Sequence, residues 1–225
     1  MRNDPSAANA TGAPHRAEWQ GAQDHKAAES RRRTIVSKRW HEGWWPGARR
    51  VESPNHGPRP PGTAITLVVL HSISLPPGEY GGDAVRRLFT NRLDTSQHPA
   101  FAGLAGLQVS AHFFIRRDGR TEQYVSCEHR AWHAGVSRWR GRENCNDWSI
   151  GIELEGLEGQ SFEAAQYGAL AHLLRALSLR YPLAEVTGHE HVAPGRKHDP
   201  GAGFDWALLA TRLRRRRPAL VPEVG

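Results

Sequence analysis

Cysteine is scarce in this sequence, which has only Cys127 and Cys145 among its 225 residues. Two cysteines cannot build the disulfide framework of a small secreted protein, and so low a count is typical of a reducing compartment. Long apolar runs are missing as well, because no stretch approaches the roughly 18 residues that a membrane-spanning helix needs. The first 35 residues also lack the apolar core of a secretory signal. These absences predict a cytoplasmic protein without a membrane partner.

Excess positive charge is missing from the middle of the chain, although the whole sequence carries a formal charge of +7. Residues 1–40 contain eight Lys/Arg against four Asp/Glu, and residues 212–225 contain five arginines against one glutamate, which leaves residues 41–211 at −1. Proteins that bind nucleic acid through a folded domain concentrate Lys and Arg on that domain. We therefore expect no nucleic-acid partner, and contact through the arginine-rich ends is the remaining alternative.

Large aliphatic side chains are nearly absent before Ile35. Such a composition cannot bury enough apolar surface to offset the entropy of ordering, so residues 1–38 are predicted to be a disordered N-terminal extension. Residues 39–211 are then one folded domain, as is usual for this length, and residues 212–225 are a basic C-terminal tail. At the start of the domain, residues 40–61 are rich in Trp and Pro and are expected to wrap onto it as an irregular arm. We expect a monomer.

The pattern of apolar residues predicts a mixed α/β fold, with a central sheet flanked by helices. A dense apolar run that ends at His71 predicts a buried strand, and Asp118-Gly119 supplies the tight turn of a hairpin. Helical spacing before Pro182 predicts the longest helix, with Ser161 as its N-cap. The predicted strands are residues 65–71, 109–116, 121–126 and 148–155, and the predicted helices are residues 83–91, 163–180 and 204–216.

The segment from Thr187 to Gly201 concentrates side chains that can bind a metal: three histidines, one aspartate, one arginine and one lysine. Pro194 and Pro200 prevent a continuous helix, so the segment is predicted to be a strand end that passes into a loop. Imidazole and carboxylate ligands suit zinc, and a catalytic zinc uses three protein ligands and keeps one position for water. The alternative is a polar, basic surface loop.

Two predicted strands carry polar side chains that could take part in chemistry. His71 stands at the carboxyl end of its strand, where the sheets of α/β proteins bind ligands, or else it is a hydrogen-bonded structural histidine. Strict alternation places Glu153 and Glu155 on the same strand face as Gly151, which predicts a polar cleft, with an ordinary solvent-facing surface as the alternative. His112 is expected to be structural.

Five longer strings together resemble one family, the AmpD-type N-acetylmuramoyl-L-alanine amidases. These belong to a zinc amidase group that shares its fold with peptidoglycan recognition proteins and amidase-type phage lysozymes. The strings follow the family's order and span roughly residues 43–210, so the resemblance covers the folded domain. They are L-H-S-I-S-L-P-P-G-E-Y-G-G (70–82), V-S-A-H-F-F-I-R-R-D-G (109–119), R-A-W-H-A-G-V-S (130–137), C-N-D-W-S-I-G-I-E-L-E-G (145–156) and G-H-E-H-V-A-P-G-R-K-H-D-P-G (188–201).

The resemblance implies a site and a reaction. It implies that His71, His189 and Asp199 bind zinc, that Glu153 is the catalytic carboxylate and that Lys197 stabilises the transition state. The implied reaction is hydrolysis of the amide bond between 1,6-anhydro-N-acetylmuramic acid and L-alanine in muropeptides, during cell-wall recycling in the cytoplasm. The alternatives are a non-catalytic peptidoglycan-binding module of the same fold and an enzyme that cleaves murein outside the cytoplasm.

The substrate-binding residues follow from the same resemblance. An aromatic ring offers an apolar face to a sugar, which favours Trp132 and His133 for the sugar site. Ser72 replaces an asparagine that commonly follows the first zinc ligand. Gln108 and Asn144 stand where some members carry arginines that hold the acidic end of the stem peptide, so the peptide preference stays open. His191 stands where an acidic or amide residue is usual and is not expected to bind the metal.

Overall fold

The structure, a computed structural model, describes residues 40–213 and 218–221. The predicted disordered extension, residues 1–38, lies outside the described residues, as do residues 214–216 of the last predicted helix. Among the described residues, no helix combines the length and the apolar character that crossing a membrane requires.

Strands and helices follow one another along the domain. The strands are β1 Arg49–Arg50, β2 His56–Pro58, β3 Leu67–Ile73, β4 Phe113–Ile115, β5 Thr121–Gln123, β6 His129–Ala131, β7 Arg138–Trp139, β8 Arg142–Glu143, β9 Ser149–Glu155, β10 Glu185–Gly188 and β11 Ala219–Val221. The helices are α1 Ala84–Phe89, α2 Ala164–Arg180, α3 His189–Val192 and α4 Trp206–Leu213, with 3₁₀ helices at Pro99–Leu104 and Cys145–Asp147.

Seven strands form one mixed sheet in the order β1-β5-β4-β9-β3-β10-β11. The strands from β4 to β11 in this order are parallel to their neighbours, whereas β5 is antiparallel to β4. In the central register His71 lies opposite Glu153, and Leu70 lies opposite Gly188. Because parallel strands end at the same edge of a sheet, the carboxyl ends of β3, β9 and β10 come together. The small pairs β2-β6 and β7-β8 lie outside this sheet.

The two faces of the sheet have different partners. Alternate residues such as Leu70 and Ile152 belong to the main core cluster, which also contains Leu174 of α2 and Leu209 of α4. On the other face, Val69 belongs to a smaller cluster with residues of the loops and of α3. Since side chains alternate along a strand, His71 and Glu153 lie on this second face. The long helix α2 and helix α4 therefore cover the first face, whereas loops and the short helices α1 and α3 cover the second face, which carries the site.

The predicted α/β architecture is confirmed, and the differences concern the ends of the predicted elements and several short elements that were not predicted. The strand predicted at 65–71 is Leu67–Ile73, and the long helix predicted at 163–180 is Ala164–Arg180. Ser161 does not cap this helix. Glu163 is the N-cap, and its N–H donates to Oε1 of Gln166 at 2.9 Å, as in a capping box. The segment after β10 is not entirely a loop either, because one helical turn, His189–Val192, fits before Pro194.

Regular structure continues past residue 211, the predicted end of the domain. Helix α4 ends at Leu213, and Ala219–Val221 form the edge strand β11, which pairs with β10 and buries Leu220. Three apolar residues after an arginine run are too short a pattern to reveal a strand, because a neighbouring strand rather than local periodicity holds them in place.

The arm at residues 40–61 is partly regular, since it contributes β1 and β2, and it packs through its aromatic residues. Trp40 is buried, and the ring of Trp45 meets Phe113 edge-on at a centroid distance of 6.4 Å. Near the end of the arm, the guanidinium of Arg59 donates to four backbone carbonyls. These are Cys127 at 3.1 Å, Asn146 at 3.2 Å, Asp147 at 2.8 Å and Ser149 at 2.9 Å. Arg59 thus fastens the arm to the backbone beneath the site.

Candidate metal centre and active site

Three ligand-type atoms from distant parts of the chain converge at the carboxyl edge of the sheet. Nδ1 of His71 lies 2.9 Å from Nδ1 of His189 and 3.2 Å from Oδ2 of Asp199, and the third side of the triangle measures 3.1 Å. Both imidazoles are buried and Asp199 is half-buried. Within the described ranges this is the one group of His, Cys, Asp or Glu side chains arranged to hold a metal ion.

Backbone pairing explains the convergence. Gly188, the last residue of β10, lies opposite Leu70 of β3, so His189 follows the end of β10 next to His71, which is still within β3. The loop after α3 returns to the same point, where the N–H of Glu190 donates to the carbonyl of Asp199 at 2.9 Å. Asp199 is therefore held against the first turn of α3 by main-chain bonding, which does not depend on a metal.

The protonation states suit a cation. Burial, followed by the nearby His189, lowers the pKa of His71 to about 4, so this ring is neutral near pH 7. Burial acts to raise the pKa of Asp199, but interactions with the adjacent imidazoles of His189 and His71 outweigh it and hold that pKa well below its usual range. A neutral imidazole and an ionised carboxylate are the forms that bind metals.

The hydrogen atoms can be assigned from the partners. Nε2 of His189 lies 3.1 Å from the carbonyl oxygen of Ala134, which can only accept, so Nε2 carries a hydrogen. In the neutral ring, Nδ1 then presents a lone pair to Asp199 and His71. Electron-rich atoms about 3 Å apart repel one another unless a cation lies between them. A tetrahedral zinc with bonds of about 2.0–2.1 Å sets its ligand atoms roughly 3.3 Å apart, and the three side chains fit that geometry.

Glu153 completes the site from the neighbouring strand. It lies opposite His71 in the register and is buried, and Oε2 has no hydrogen-bond partner among the described residues. Burial, followed by the negative charge of Asp199, raises the pKa of Glu153 well above its usual value, and the positive charge of Lys197 opposes this shift. A buried carboxyl with a raised pKa is suited to exchanging protons with a reactant.

An open cleft of about 340 Å³ adjoins the candidate ligand Asp199. Its lining also includes Ser72, Leu157, Arg196 and Lys197. The structure thus brings Ser72 and Lys197, both predicted from the resemblance, to the same cleft as the candidate ligand Asp199. Besides Asp199, the cleft is lined by three charged side chains, Glu158, Arg196 and Lys197, and by the hydroxyls of Ser72 and Ser74, so it can take a polar substrate.

Other predicted substrate-binding residues lie elsewhere. Gln108 is exposed and lines a different cavity of about 220 Å³, next to Leu93 and Leu104. Asn144 is exposed in a turn, with φ of 52°, and its N–H donates to the carbonyl of Ser137 at 3.0 Å. Neither residue is among those that line the cleft beside Asp199.

His133 lies behind His71, a position that the resemblance did not specify. Its Nδ1 is 2.9 Å from Nε2 of His71, and its ring fills the space over Gly151. A Cβ atom on Gly151 would come within 2.3 Å of Cγ of His133, so only glycine leaves room for the ring. Trp132, the other residue predicted for the sugar site, is half-buried, and its N–H donates to Oγ of Ser110 at 3.1 Å.

The two glutamates of β9 have different roles. Glu155 is buried and is bound by Nη1 of Arg116 at 3.2 Å and by the N–H groups of Gly81 and Arg117 at 2.7 and 3.0 Å. The predicted open polar face is therefore wrong for Glu155, whose charge is used in the fold. His112 is structural, as expected: its Nδ1 accepts from the N–H of Gly151 at 3.0 Å.

Sequence reasoning missed Arg196 and Ser149. Nη2 of Arg196 donates to the carbonyl oxygens of Ala134 and Val136, both at 2.6 Å, and so ties the loop after α3 to the loop after β6. Ser149 approaches His133 from β9 at 3.2 Å. Both residues stand inside the strings that carried the resemblance, but nothing in the strings indicates which side chains they contact.

Comparisons with known proteins show the family of the chain. A family model described as N-acetylmuramoyl-L-alanine amidase matches residues 61–202. The 1,6-anhydro-N-acetylmuramyl-L-alanine amidase AmpD of Citrobacter freundii is 55% identical over 74% of this chain and 90% of its own length, and AmpD of Haemophilus influenzae is 46% identical over 74% and 92%. A crystal structure of a selenomethionine derivative of AmpD matches with a TM-score of 0.75 and 53% identity over 77% of this chain and 98% of that chain. The amidase fold expected from the resemblance is confirmed.

We predict that Gly151→Ala lowers the free energy of unfolding by about 1–3 kcal/mol, because the new methyl group overlaps the ring of His133. The matched control is Gly168→Ala in α2, where the nearest atom outside the helix is 4.0 Å from the new Cβ and alanine stabilises the helix by about 0.5–1 kcal/mol. Urea unfolding of both variants, followed by tryptophan fluorescence, checks the opposite signs. Wild-type stability in Gly151→Ala would contradict the close packing.

Proposed function

The chain belongs to the N-acetylmuramoyl-L-alanine amidase family, and we propose that it is a zinc-dependent enzyme that hydrolyses the amide bond between 1,6-anhydro-N-acetylmuramic acid and L-alanine in muropeptides during cell-wall recycling. One observation carries the proposal: two imidazoles and a carboxylate meet within 3.2 Å, on the sheet face that also carries a buried Glu153 without a hydrogen-bond partner for Oε2 among the described residues. The anhydro-muropeptide substrate is supported by the names of the AmpD relatives, which this chain matches over about nine-tenths of their length.

His71, His189 and Asp199 would hold the zinc. When bound there, zinc supplies a Lewis acid that polarises a carbonyl group and lowers the pKa of water toward ~7. Two neutral nitrogen ligands and one carboxylate are the ligand type of a hydrolytic site rather than of a closed structural site.

Glu153 moves the protons in this proposal. An amide is hydrolysed when a water oxygen bonds to the carbonyl carbon, the carbon–nitrogen bond breaks and the amine leaves with an additional proton. Glu153 accepts a proton from the attacking water and passes it to the departing nitrogen of L-alanine. Its raised pKa supports the first step, since a more basic carboxylate takes the proton more readily.

Lys197 is proposed to stabilise the negative charge that develops on the carbonyl oxygen in the transition state. Its side chain is exposed in the cleft beside Asp199, where an ammonium group can approach a substrate oxygen. Ser72, in the same cleft, is proposed to donate a hydrogen bond to the substrate, and Trp132 and His133 to contact the sugar, although His133 also bonds to His71. Gln108 and Asn144, which lie outside this cleft, are proposed to contact only the far end of a stem peptide.

The alternatives account for less of the site. A non-catalytic peptidoglycan-binding module would have no use for a complete ligand set beside a buried carboxylate with a raised pKa. Nucleic-acid binding would need clustered basic residues, whereas residues 41–211 carry a charge of −1. We also propose a cytoplasmic location, supported by the buried Cys127 and Cys145, neither of which is in a disulfide, and a monomeric state.

The purified protein is expected to release the stem peptide from 1,6-anhydro-N-acetylmuramyl-tripeptide, with both products identified by mass spectrometry. Removal of the metal with a chelator should abolish the reaction, and one equivalent of zinc should restore it, because the ligand atoms are already in place. Peptide release that survives complete metal removal would contradict zinc dependence. Absence of release in the zinc-loaded protein would contradict the amidase function.

His189→Ala should lose stoichiometric zinc, whereas His191→Ala should keep it. Both histidines belong to α3, but Nδ1 of His191 accepts from the N–H of Gly188 at 3.2 Å and its ring faces Trp206 rather than the ligand group. Metal content after dialysis, measured by inductively coupled plasma mass spectrometry, separates the two. Equal zinc loss in the two variants would contradict the assigned ligand set.

Glu153→Gln should retain zinc and stability but lower kcat by about 10²–10⁴, the usual contribution of a general acid–base group. The amide has nearly the same shape, and Oε2 has no hydrogen-bond partner to lose among the described residues. Steady-state rates and metal content are measured on the same preparation, so that loss of metal cannot be mistaken for loss of the base. A kcat close to that of the wild type would rule out the role of Glu153.

A further inference from the structure

A chain of partly or fully buried hydrogen bonds runs from the candidate ligand His71 to the start of β9. Nε2 of His71 lies 2.9 Å from Nδ1 of His133, and Nε2 of His133 lies 3.2 Å from Oγ of Ser149. Oγ of Ser149 lies 2.6 Å from the carbonyl oxygen of Cys145. We propose that His133 and Ser149 are positioning residues that hold His71 in the one tautomer able to bind the metal.

The directions of these bonds follow from the last acceptor. The carbonyl oxygen of Cys145 can only accept, so the single hydroxyl hydrogen of Ser149 points to it. The oxygen of Ser149 must then accept from Nε2–H of His133. A neutral His133 with its hydrogen on Nε2 has a lone pair on Nδ1, which accepts from Nε2–H of His71. The neutral ring of His71 is left with its lone pair on Nδ1, the atom that faces His189 and Asp199.

The residues of this hydrogen-bond chain are held in place by the fold around them. Ser149 is fully buried at the start of β9, and its own carbonyl is held by Arg59 at 2.9 Å. The ring of His133 occupies the space that Gly151 leaves open. The N–H groups of His133 and Ala134 both donate to Oδ1 of Asn146, at 3.2 and 2.8 Å. The position of the His133 ring is therefore fixed from the main chain as well as from its two nitrogens.

Loss of this hydrogen-bond chain would change the affinity of the site for the metal without removing a ligand. A free neutral imidazole can carry its hydrogen on either nitrogen, and a hydrogen on Nδ1 of His71 would block binding there. The groups that orient a metal-binding histidine typically contribute 10–100-fold to metal affinity. Because this inference rests on the proposed zinc binding, its test includes a measurement on the metal-free protein.

The test compares Ser149→Ala with Ser110→Ala. Ser110 is also buried, donates to a backbone carbonyl, that of Asn55, at 2.5 Å, and accepts from the N–H of Trp132 at 3.1 Å, but its hydroxyl has no hydrogen bond with a histidine among the described residues. We expect the zinc dissociation constant, measured by competition with a chromophoric chelator, to rise about 10–100-fold in Ser149→Ala and less than threefold in Ser110→Ala. Equal changes in the two variants would overturn the proposal, because both remove a buried hydroxyl.

A second pair of variants acts directly on His133 and decides the question if Ser149→Ala fails to fold. In His133→Asn the amide oxygen can stand near the position of Nδ1 and accept from His71, whereas His133→Leu offers no acceptor. We expect His133→Asn to keep a zinc affinity closer to that of the wild type than His133→Leu. Equal affinities in the two variants would count against the proposed role of His133.

The tautomer itself is read from the metal-free wild-type protein by long-range ¹H–¹⁵N correlation spectroscopy of the imidazoles. The expected result is a hydrogen on Nε2 of His71 and on Nε2 of His133. A hydrogen on Nδ1 of His71 would refute the proposed hydrogen-bond chain, whatever the zinc affinity. If the wild type shows this tautomer but binds no zinc, the proposed function fails and the positioning of His71 stands.

Discussion

The parallel register of three strands is the constraint on which the site depends. Because β9 and β10 flank β3 in parallel, the residues at their carboxyl ends reach one edge together: Glu153 beside His71 on one side, and His189 directly after Gly188 on the other. A shift of one residue in either pairing would turn the corresponding side chain to the helical face of the sheet. The continuous apolar core on that face, formed with α2 and α4, therefore fixes the geometry of the polar group opposite.

Burying so many polar groups on one face is feasible because nearly every one has a defined partner. His189 donates to Ala134, and Glu155 is neutralised by Arg116 and by backbone N–H groups. The exceptions are informative, because an unsatisfied buried polar atom lowers stability and is usually kept only where function needs it. Oε2 of Glu153 is such an atom within the described part of the chain, and it lies on the sheet face where the three candidate ligands gather.

Apolar periodicity was sufficient to predict four strands of the sheet and the long helix, and the resemblance carried by five motif strings indicated the residues that now converge. The sequence could not predict β11, which owes its conformation to the neighbouring strand β10. Nor could it predict the contact between His133 and Ser149, which depends on how side chains from separate loops and strands meet in three dimensions. The separation of Gln108 from the cleft likewise depends on the position of its loop in the folded structure.

Arg59 has a consequence for how the domain can be divided. The family match begins at residue 61, yet the guanidinium of Arg59 satisfies four carbonyls, including that of Ser149. A protein trimmed at the family boundary would keep every motif and lose the cation that those carbonyls face. Any truncation or fusion of this enzyme should therefore keep Arg59 and the Trp-rich arm that carries it, upstream of the family match.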